Sequence, residues 1–329
     1  MRERTVAVIG YDGTELLDIA CITSTLNGAN RLGGTPPYRV HLVTPGGRPI
    51  TCDSGLRLNG ELPLERLTGP LDTMVIAGGL GHQAAADNSR LVAHIRRLAA
   101  VTRRISSVCT GATLLAATGL LDGKRATTHW IAADDLAARH PRITVDPDPI
   151  YIRDGDISTA AGMTSALDLM LDFIEEDHGP DLSRAVARGL VTYLQRPGNQ
   201  AQMSIYTAAP HPDHALVRKV TTHIAAHLSD NLSTTALATR EGVSDRHLTR
   251  LFAQHLNSTP GRYVRRARVE AAAHLLATTD TPIALIATRC GFGTPESLRQ
   301  AFLRHYAVSP THYRATTSRR SRESRTADL

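Results

Sequence analysis

The sequence predicts two domains: first an α/β domain with a parallel sheet covered by helices on both faces, then an all-α domain. Three observations predict this. The chain has 329 residues, too many for one ordinary core and comfortable for two. Short apolar runs alternate with helical patterns over the first two-thirds, whereas strand signals nearly vanish from Asp213 onward. The charge divides at the same place: residues 1–209 carry 20 Lys and Arg against 22 Asp and Glu, and residues 210–329 carry 17 against 9.

The elements follow in order. Strands are expected over 5–9, 39–44, 73–76 and 105–108, and helices over 16–30 and 89–101. After Val108 the chain turns without a break into a helix over 111–121, followed by 126–129, 150–153 and a helix over 164–176. Strands spaced by helices of this length point to an open, flavodoxin-like sheet. This domain is expected to occupy residues 1–195. Residues 196–212 hold three prolines and no period of their own, and read as a linker. Helices are then expected over 214–228, 234–240, 245–255, 261–277, 283–289, 295–306 and from Pro310. Arg319, Arg320, Arg322 and Arg325 lie in a basic tail, 317–329, expected to be disordered.

Composition narrows the classes. There is no run of about 18 apolar residues, and the apolar stretch 6–10 is too short for a signal peptide, so a cytoplasmic protein with no membrane partner is expected. Cys21, Cys52, Cys109 and Cys290 stand at wide, unrelated spacings that give neither a disulfide framework nor a CxxC metal site. They are read as reduced thiols, with no metal. The run Gly78-Gly79-Leu80-Gly81 lacks GxGxxG spacing, so no nucleotide cofactor, or any other, is expected.

The basic excess of the C-terminal part favours a polyanionic partner, of which nucleic acid is the commonest. The same part contains a repeat. Ala238, Gly242 and Val243 recur as Ala287, Gly291 and Phe292 at a displacement of 49, and Leu248 and Phe252 recur as Leu298 and Phe302 at 50. Alanine lets two helices approach, glycine supplies the positive φ of a sharp turn, and the apolar residues lock the pair. Ser244 and Thr294 are placed to cap the second helix of each copy. Two αα-hairpins in a bundle would show the same repeat without binding DNA. The runs "LATREGVSDRHLTRLF" and "ALIATRCGFGTPESLRQAFLRHYAVSPTHYR" resemble the two helix-turn-helix units of the AraC/XylS regulators over 213–316. The resemblance implies double-stranded DNA as partner, with two recognition helices in successive major grooves joined by the long helix over 262–277. The base-facing candidates it implies are Arg246, Thr249 and Arg250 in the first unit, and Pro295, Glu296 and Gln300, with Arg299 beside them, in the second. Arg246 and Arg250 share a helical face, and arginine bidentate to guanine is the commonest direct readout. Pro295 and Glu296 cannot donate a side-chain hydrogen bond to a base, so the second helix is expected to contact chiefly backbone or a thymine methyl.

In the first domain, Val108-Cys109-Thr110-Gly111 ends a strand pattern at a cysteine and passes into a helix. Such a turn is expected to expose the thiol and to lower its pKa at the helix N-terminus. Asp18, Gly78, Gly79 and His129 follow other strands, and ligands of open parallel sheets bind beyond the carboxyl ends of the strands. His82 is expected at the surface. The runs "YDGTELLD", "VIAGG", "SVCTGATLLAATGLLDGKRATTHW" and "DISTAAGMTSALDLML" resemble the PfpI-like branch of the class I glutamine amidotransferase superfamily over 4–185. With both ends joined, the chain resembles the GlxA-type regulators. Thr110 stands where PfpI-like peptidases have histidine, and Cys109-Thr110-Gly111 with Asp18 is closer to isocyanide hydratases. Cys21-Ile22 replaces the usual Gly-Pro.

Together these imply a sequence-specific DNA-binding transcription regulator. Its first domain is expected to sense a small-molecule effector through Asp18, Gly78, Gly79, Cys109, Thr110 and His129, or to dimerise. The resemblance also implies a homodimer, with RNA polymerase as partner if it activates. The alternative is a cysteine-dependent hydratase or hydrolase with Cys109 as nucleophile, Asp18 as acid/base and backbone N–H groups near Gly79 as oxyanion donors, His129 being a further catalytic candidate. A purely structural dimerisation domain is a third reading.

Overall fold

The computed structural model describes residues 3–192, 196, 198, 202, 214–306 and 308–318, without the side chains of 277–278 and 315–318. The chain divides into two compact units, Met1–Gln202 and Met203–Leu329. Most of the linker expected over 196–212 and of the tail expected over 317–329 lies outside the described residues. Three residues of that linker are described, and all are bonded to the first unit. Arg196 donates from its backbone N–H (2.7 Å) and its Nε (2.8 Å) to the buried Asp168, and the Gly198 carbonyl accepts from the Tyr151 N–H (3.1 Å). Gln202 bonds Thr127, Thr128 and Trp130.

The first unit is built on seven strands: β1 (Arg4–Ile9), β2 (Tyr38–Thr44), β3 (Leu62–Pro63), β4 (Leu71–Ile76), β5 (Thr102–Val108), β6 (Tyr151–Asp154) and β7 (Ile157–Ala160). Their order across the sheet is β6-β7-β5-β4-β1-β2-β3, and every neighbouring pair is parallel except β6 with β7. The sheet is therefore mainly parallel, with one antiparallel edge hairpin closed at Gly155, whose φ of 67° suits a two-residue reversal.

Central strands bury both sides, and the residues alternate accordingly. Val6 and Val8 of β1 and Val75 of β4 face α1 (Leu16–Arg31), α6 (Thr164–His178) and α7 (Pro180–Gly189). Ala7, Ile9, Met74 and Ile76 face the opposite layer, made of α2 (His82–Asp87), α3 (Ser89–Ala99), α4 (Gly111–Ala117) and α5 (Ala133–Arg139). Burying a Val, Ile or Met side chain stabilises by about 1.5–3 kcal/mol, so both layers are held firmly to the sheet. The helix expected over 111–121 stops at Ala117, just before Gly119 turns the chain at φ 79°. Within the segment 126–129 only Ala126 is paired in a strand, and 127–129 form a loop that bonds to β7 and to Cys109.

The second unit is helical throughout its described residues: α8 (Ala215–Ala226), α9 (Thr234–Arg240), α10 (Asp245–Leu256), α11 (Pro260–Thr278), α12 (Ile283–Arg289), α13 (Pro295–Tyr306) and α14 (Pro310–Ser318). Val217, Leu237, Leu248, Phe252, Val264 and Ala267 form one core beneath the α9–α10 pair. Phe302, Tyr306 and Tyr313 pack ring against ring under the α12–α13 pair, with centroids 4.6–5.3 Å apart. The long α11 serves both, and its Arg268 donates from Nε to the Leu228 carbonyl (2.9 Å) and from Nη2 to the Asp230 carbonyl (2.8 Å). Among the described residues no helix is long and apolar enough to cross a membrane.

Candidate functional site

Cys109 follows β5 at a backbone φ of 55°, a conformation that L-residues avoid and that is typically kept where function requires it. Two glycine loops press on it. A Cβ at Gly78 would lie 2.5 Å from the Cys109 Cβ, and one at Gly162 would lie 2.5 Å from that Cβ and 2.8 Å from Sγ. Asp18, in the first turn of α1, ties both loops together. Its Oδ2 accepts from the Gly78 N–H (2.9 Å) and its Oδ1 from the Met163 N–H (2.7 Å). Met163 is itself at φ 49°. The Thr110 hydroxyl accepts from the Gly79 N–H (2.8 Å) and donates to the Gly79 carbonyl (2.9 Å).

The structure thus brings Asp18, Gly78, Gly79, Cys109 and Thr110 together, and corrects three expectations about them. The thiol is buried, with 5% of the residue exposed, where exposure was expected. Burial, then the nearby Asp18 carboxylate, pushes it up to about 12 despite the opposing hydrogen bonds from Thr110, where the helix N-terminus was expected to lower it. Desolvation outweighs the helix dipole here. The N–H groups of Gly78 and Gly79 are engaged by Asp18 and Thr110, so they are not idle oxyanion donors.

His129 is half-buried, and burial lowers its pKa. Its Nδ1 accepts from the Ile131 N–H (3.3 Å) and its ring lies 5.8 Å from that of Trp130, both within its own loop. The same loop reaches the site through Thr128, whose hydroxyl donates to the Cys109 carbonyl (2.9 Å). Gln202 closes the loop from outside. Its amide donates to the Thr128 carbonyl (2.7 Å) and the Thr127 hydroxyl (3.2 Å), and its Oε1 accepts from the Trp130 N–H (3.1 Å).

Sequence reasoning missed the Gly162-Met163 loop and His82. The signal for the first was available, since Gly-Met follows the polar strand β7 and precedes α6 just as the other site segments follow their strands. His82 is half-buried rather than at the surface, with Nδ1 3.0 Å from the Thr113 hydroxyl of α4, and burial lowers its pKa. Leu17, Leu80, Trp130 and Ile131 are exposed beside Asp18, Gly79 and His129 in the chain, as is Met163 beside Gly162. Cys52 and Cys290 are buried as small packed side chains, whereas Cys21 is only partly buried.

In the second unit the two copies of the repeat turn alike. Gly242 (φ 67°) and Gly291 (φ 75°) close α9 and α12, and Val243 N–H bonds the Ala238 carbonyl (3.0 Å) as Phe292 N–H bonds that of Ala287 (2.8 Å). Ser244 and Thr294 cap α10 and α13 by accepting from the N–H groups of His247 (3.2 Å) and Ser297 (3.0 Å). At the start of α10, Arg246 and Arg250 are exposed and Thr249 is half-buried. At the start of α13, Pro295, Glu296, Arg299 and Gln300 are all exposed. These pairs have the form in which a second helix is offered to a groove.

Residues 4–176 match the DJ-1/PfpI family, and residues 237–316 match a helix-turn-helix domain. The HTH-type transcriptional regulator CdhR of Pseudomonas aeruginosa is 32% identical over 304 residues, 92% of this chain and 89% of the relative. The chain belongs to the HTH-type transcriptional regulators built on a DJ-1/PfpI domain. The HTH-type transcriptional regulator GlxA of Rhizobium meliloti is 30% identical over 295 residues, 90% of each chain. An isonitrile hydratase of Pseudomonas putida is 37% identical over 155 residues, 47% of this chain and 66% of that one.

In this HTH-type regulator the Asp18 carboxyl has a measurable signature. The residue is fully buried. Burial raises its pKa to about 6, outweighing the two backbone hydrogen bonds that favour the carboxylate. The folded protein therefore keeps a proton that the unfolded chain releases near pH 4. The stability this contributes is full below about pH 4 and is lost as pH rises through 6, a change of about 3 kcal/mol. Relative to Asp18→Asn, the wild type is expected to lose about 2–4 kcal/mol between pH 4 and 7.5 in urea titrations. A difference that does not vary with pH would show that this carboxyl titrates normally.

Proposed function

We propose that the first unit is a sensor whose effector, a small metabolite, binds beside Asp18, Gly78, Gly79, Cys109, Thr110 and His129. The second unit reads DNA with Arg246, Thr249 and Arg250 from α10 and with Pro295, Glu296, Arg299 and Gln300 from α13. In this reading 1–195 form the sensor domain, 196–212 a linker, 213–316 the DNA-binding domain and 317–329 a basic tail. The protein acts in the cytoplasm as a homodimer, and meets RNA polymerase where it activates.

The observation that carries the reading is the repeated turn. Two copies share the same glycine conformation, the same backbone bond and the same capping geometry, and each leaves the start of its second helix exposed. Leu17, Leu80, Trp130, Ile131 and Met163, exposed next to the site residues in the chain, are apolar side chains that support a ligand site there. A thiol pushed up to about 12 is a poor nucleophile at neutral pH, which favours sensing over the hydratase or hydrolase reading.

The test is capture of genomic fragments by the full-length protein and its Cys109→Ala variant at stated salt. Both are expected to enrich the same specific fragments. No specific enrichment by either, across salt and candidate metabolites, would replace the regulator reading with that of an enzyme.

A further inference from the structure

The two recognition helices can be superimposed position by position. Counted from their caps Ser244 and Thr294, Arg246 corresponds to Glu296, Thr249 to Arg299 and Arg250 to Gln300, each displaced by 50. At the second helical position the first helix-turn-helix therefore carries a pure donor and the second a pure acceptor.

The acceptor does not stand alone. Arg299 grips Glu296 by two hydrogen bonds, Nε to Oε2 at 2.7 Å and Nη2 to Oε1 at 2.7 Å, and the Gln300 amide adds a third to Oε1 at 3.2 Å. The grip holds the carboxyl near 2, so it is ionised at any working pH. It also fixes the direction of the carboxylate and cancels its charge, which would otherwise repel the phosphates. A carboxylate offers about four acceptor sites, and three bonds leave one open on Oε2. The Glu296 side chain is 55% exposed.

We propose that Glu296 reads a cytosine in the DNA bound by the second helix-turn-helix, with Arg299 as its positioning residue. In the major groove the cytosine N4 amino group donates to a carboxylate, whereas guanine O6 and N7 and thymine O4 are acceptors and repel it. Adenine offers an amino group next to the acceptor N7, which a carboxylate meets unfavourably. Arg246 at the matching place in α10 prefers the opposite partner, guanine. The two halves of the site read by one chain therefore differ at equivalent positions, and a direct repeat is a poor site.

The inference rests on the DNA-binding reading above, and one experiment separates the two. Random double-stranded DNA is selected with the full-length protein and with Glu296→Gln, Glu296→Ala and Arg299→Ala. Glu296 and Arg299 are exposed, so the fold does not depend on them. The wild type is expected to enrich a bipartite motif with a fixed cytosine in one half. Glu296→Gln is expected to exchange that cytosine for adenine, which glutamine reads bidentately. Glu296→Ala is expected to make that position degenerate, with a loss of about 5- to 150-fold on the wild-type site. Arg299→Ala is expected to weaken the cytosine preference while the first half of the motif stays unchanged. A wild-type motif that is unaltered by both Glu296 variants, or that fixes another base there, overturns the inference. No wild-type motif at all overturns the DNA-binding reading itself.

Discussion

Gly291→Ala is expected to melt the second helix-turn-helix, whereas Gly242→Ala leaves the first one folded. Both glycines sit at positive φ, where alanine costs about 1–2 kcal/mol. Their surroundings differ. A Cβ at Gly242 meets nothing within 4 Å, but one at Gly291 would lie 2.1 Å from the Leu228 carbonyl oxygen and 2.6 Å from Arg268 Nε. Neither neighbour can yield alone, because Arg268 Nε donates to that same carbonyl. Relief requires parting the turn after α12 from the end of α8, and the loss is expected to exceed about 4 kcal/mol. Urea titration followed by circular dichroism measures it. Cys290 supplies a local check, since its buried thiol should react with a thiol reagent in Gly291→Ala and stay protected in Gly242→Ala. Equal losses in the two variants would contradict the packing of this turn.

Replacing Arg246 and Arg250 together by alanine is expected to abolish sequence preference in the first half of the site while sparing most non-specific binding. Each is worth about 1–3 kcal/mol if it pairs bidentately with guanine, so the double variant should lose roughly 25- to 20,000-fold on the specific site. His247 shapes this surface, with Nδ1 3.2 Å from Arg250 Nη2, which steadies that guanidinium one turn along the exposed face. Anisotropy titrations against the selected site and a scrambled duplex, over a range of salt, separate the two components. An equal loss on both duplexes would reduce these arginines to phosphate contacts.

The two halves of the chain were legible to different degrees. A helix-turn-helix is specified locally: Gly242 and Gly291 are needed for φ, Ala238 and Ala287 for close approach, and Ser244 and Thr294 as caps. All of these lie within a few residues of one another, and α9, α12 and α13 occupy the very residues expected. The state of Cys109 is not local. It is set by Gly78 and Gly162, which come from other strands, and by Asp18 from α1, so the sequence showed the sharp turn but not the burial that raises the thiol. Strand β7 escaped notice for a related reason. Its Ser158 and Thr159 look like surface residues but are buried beside β5, which is itself rich in serine. For α13 the sequence places Glu296 at the start of the helix, but the grip of Arg299 and Gln300 on its carboxylate is visible only in the structure.

Trp130 is the single tryptophan of the chain, and it stands half-exposed beside His129, with its backbone amide bonded to Gln202. Tryptophan fluorescence from the intact protein therefore comes from one place, the loop that touches the Cys109 carbonyl through Thr128. The DNA-binding unit contributes no tryptophan emission of its own. The protein thus carries a built-in optical label in its first unit, and candidate metabolites can be screened on the untagged protein, with or without DNA, by the colour of a single side chain.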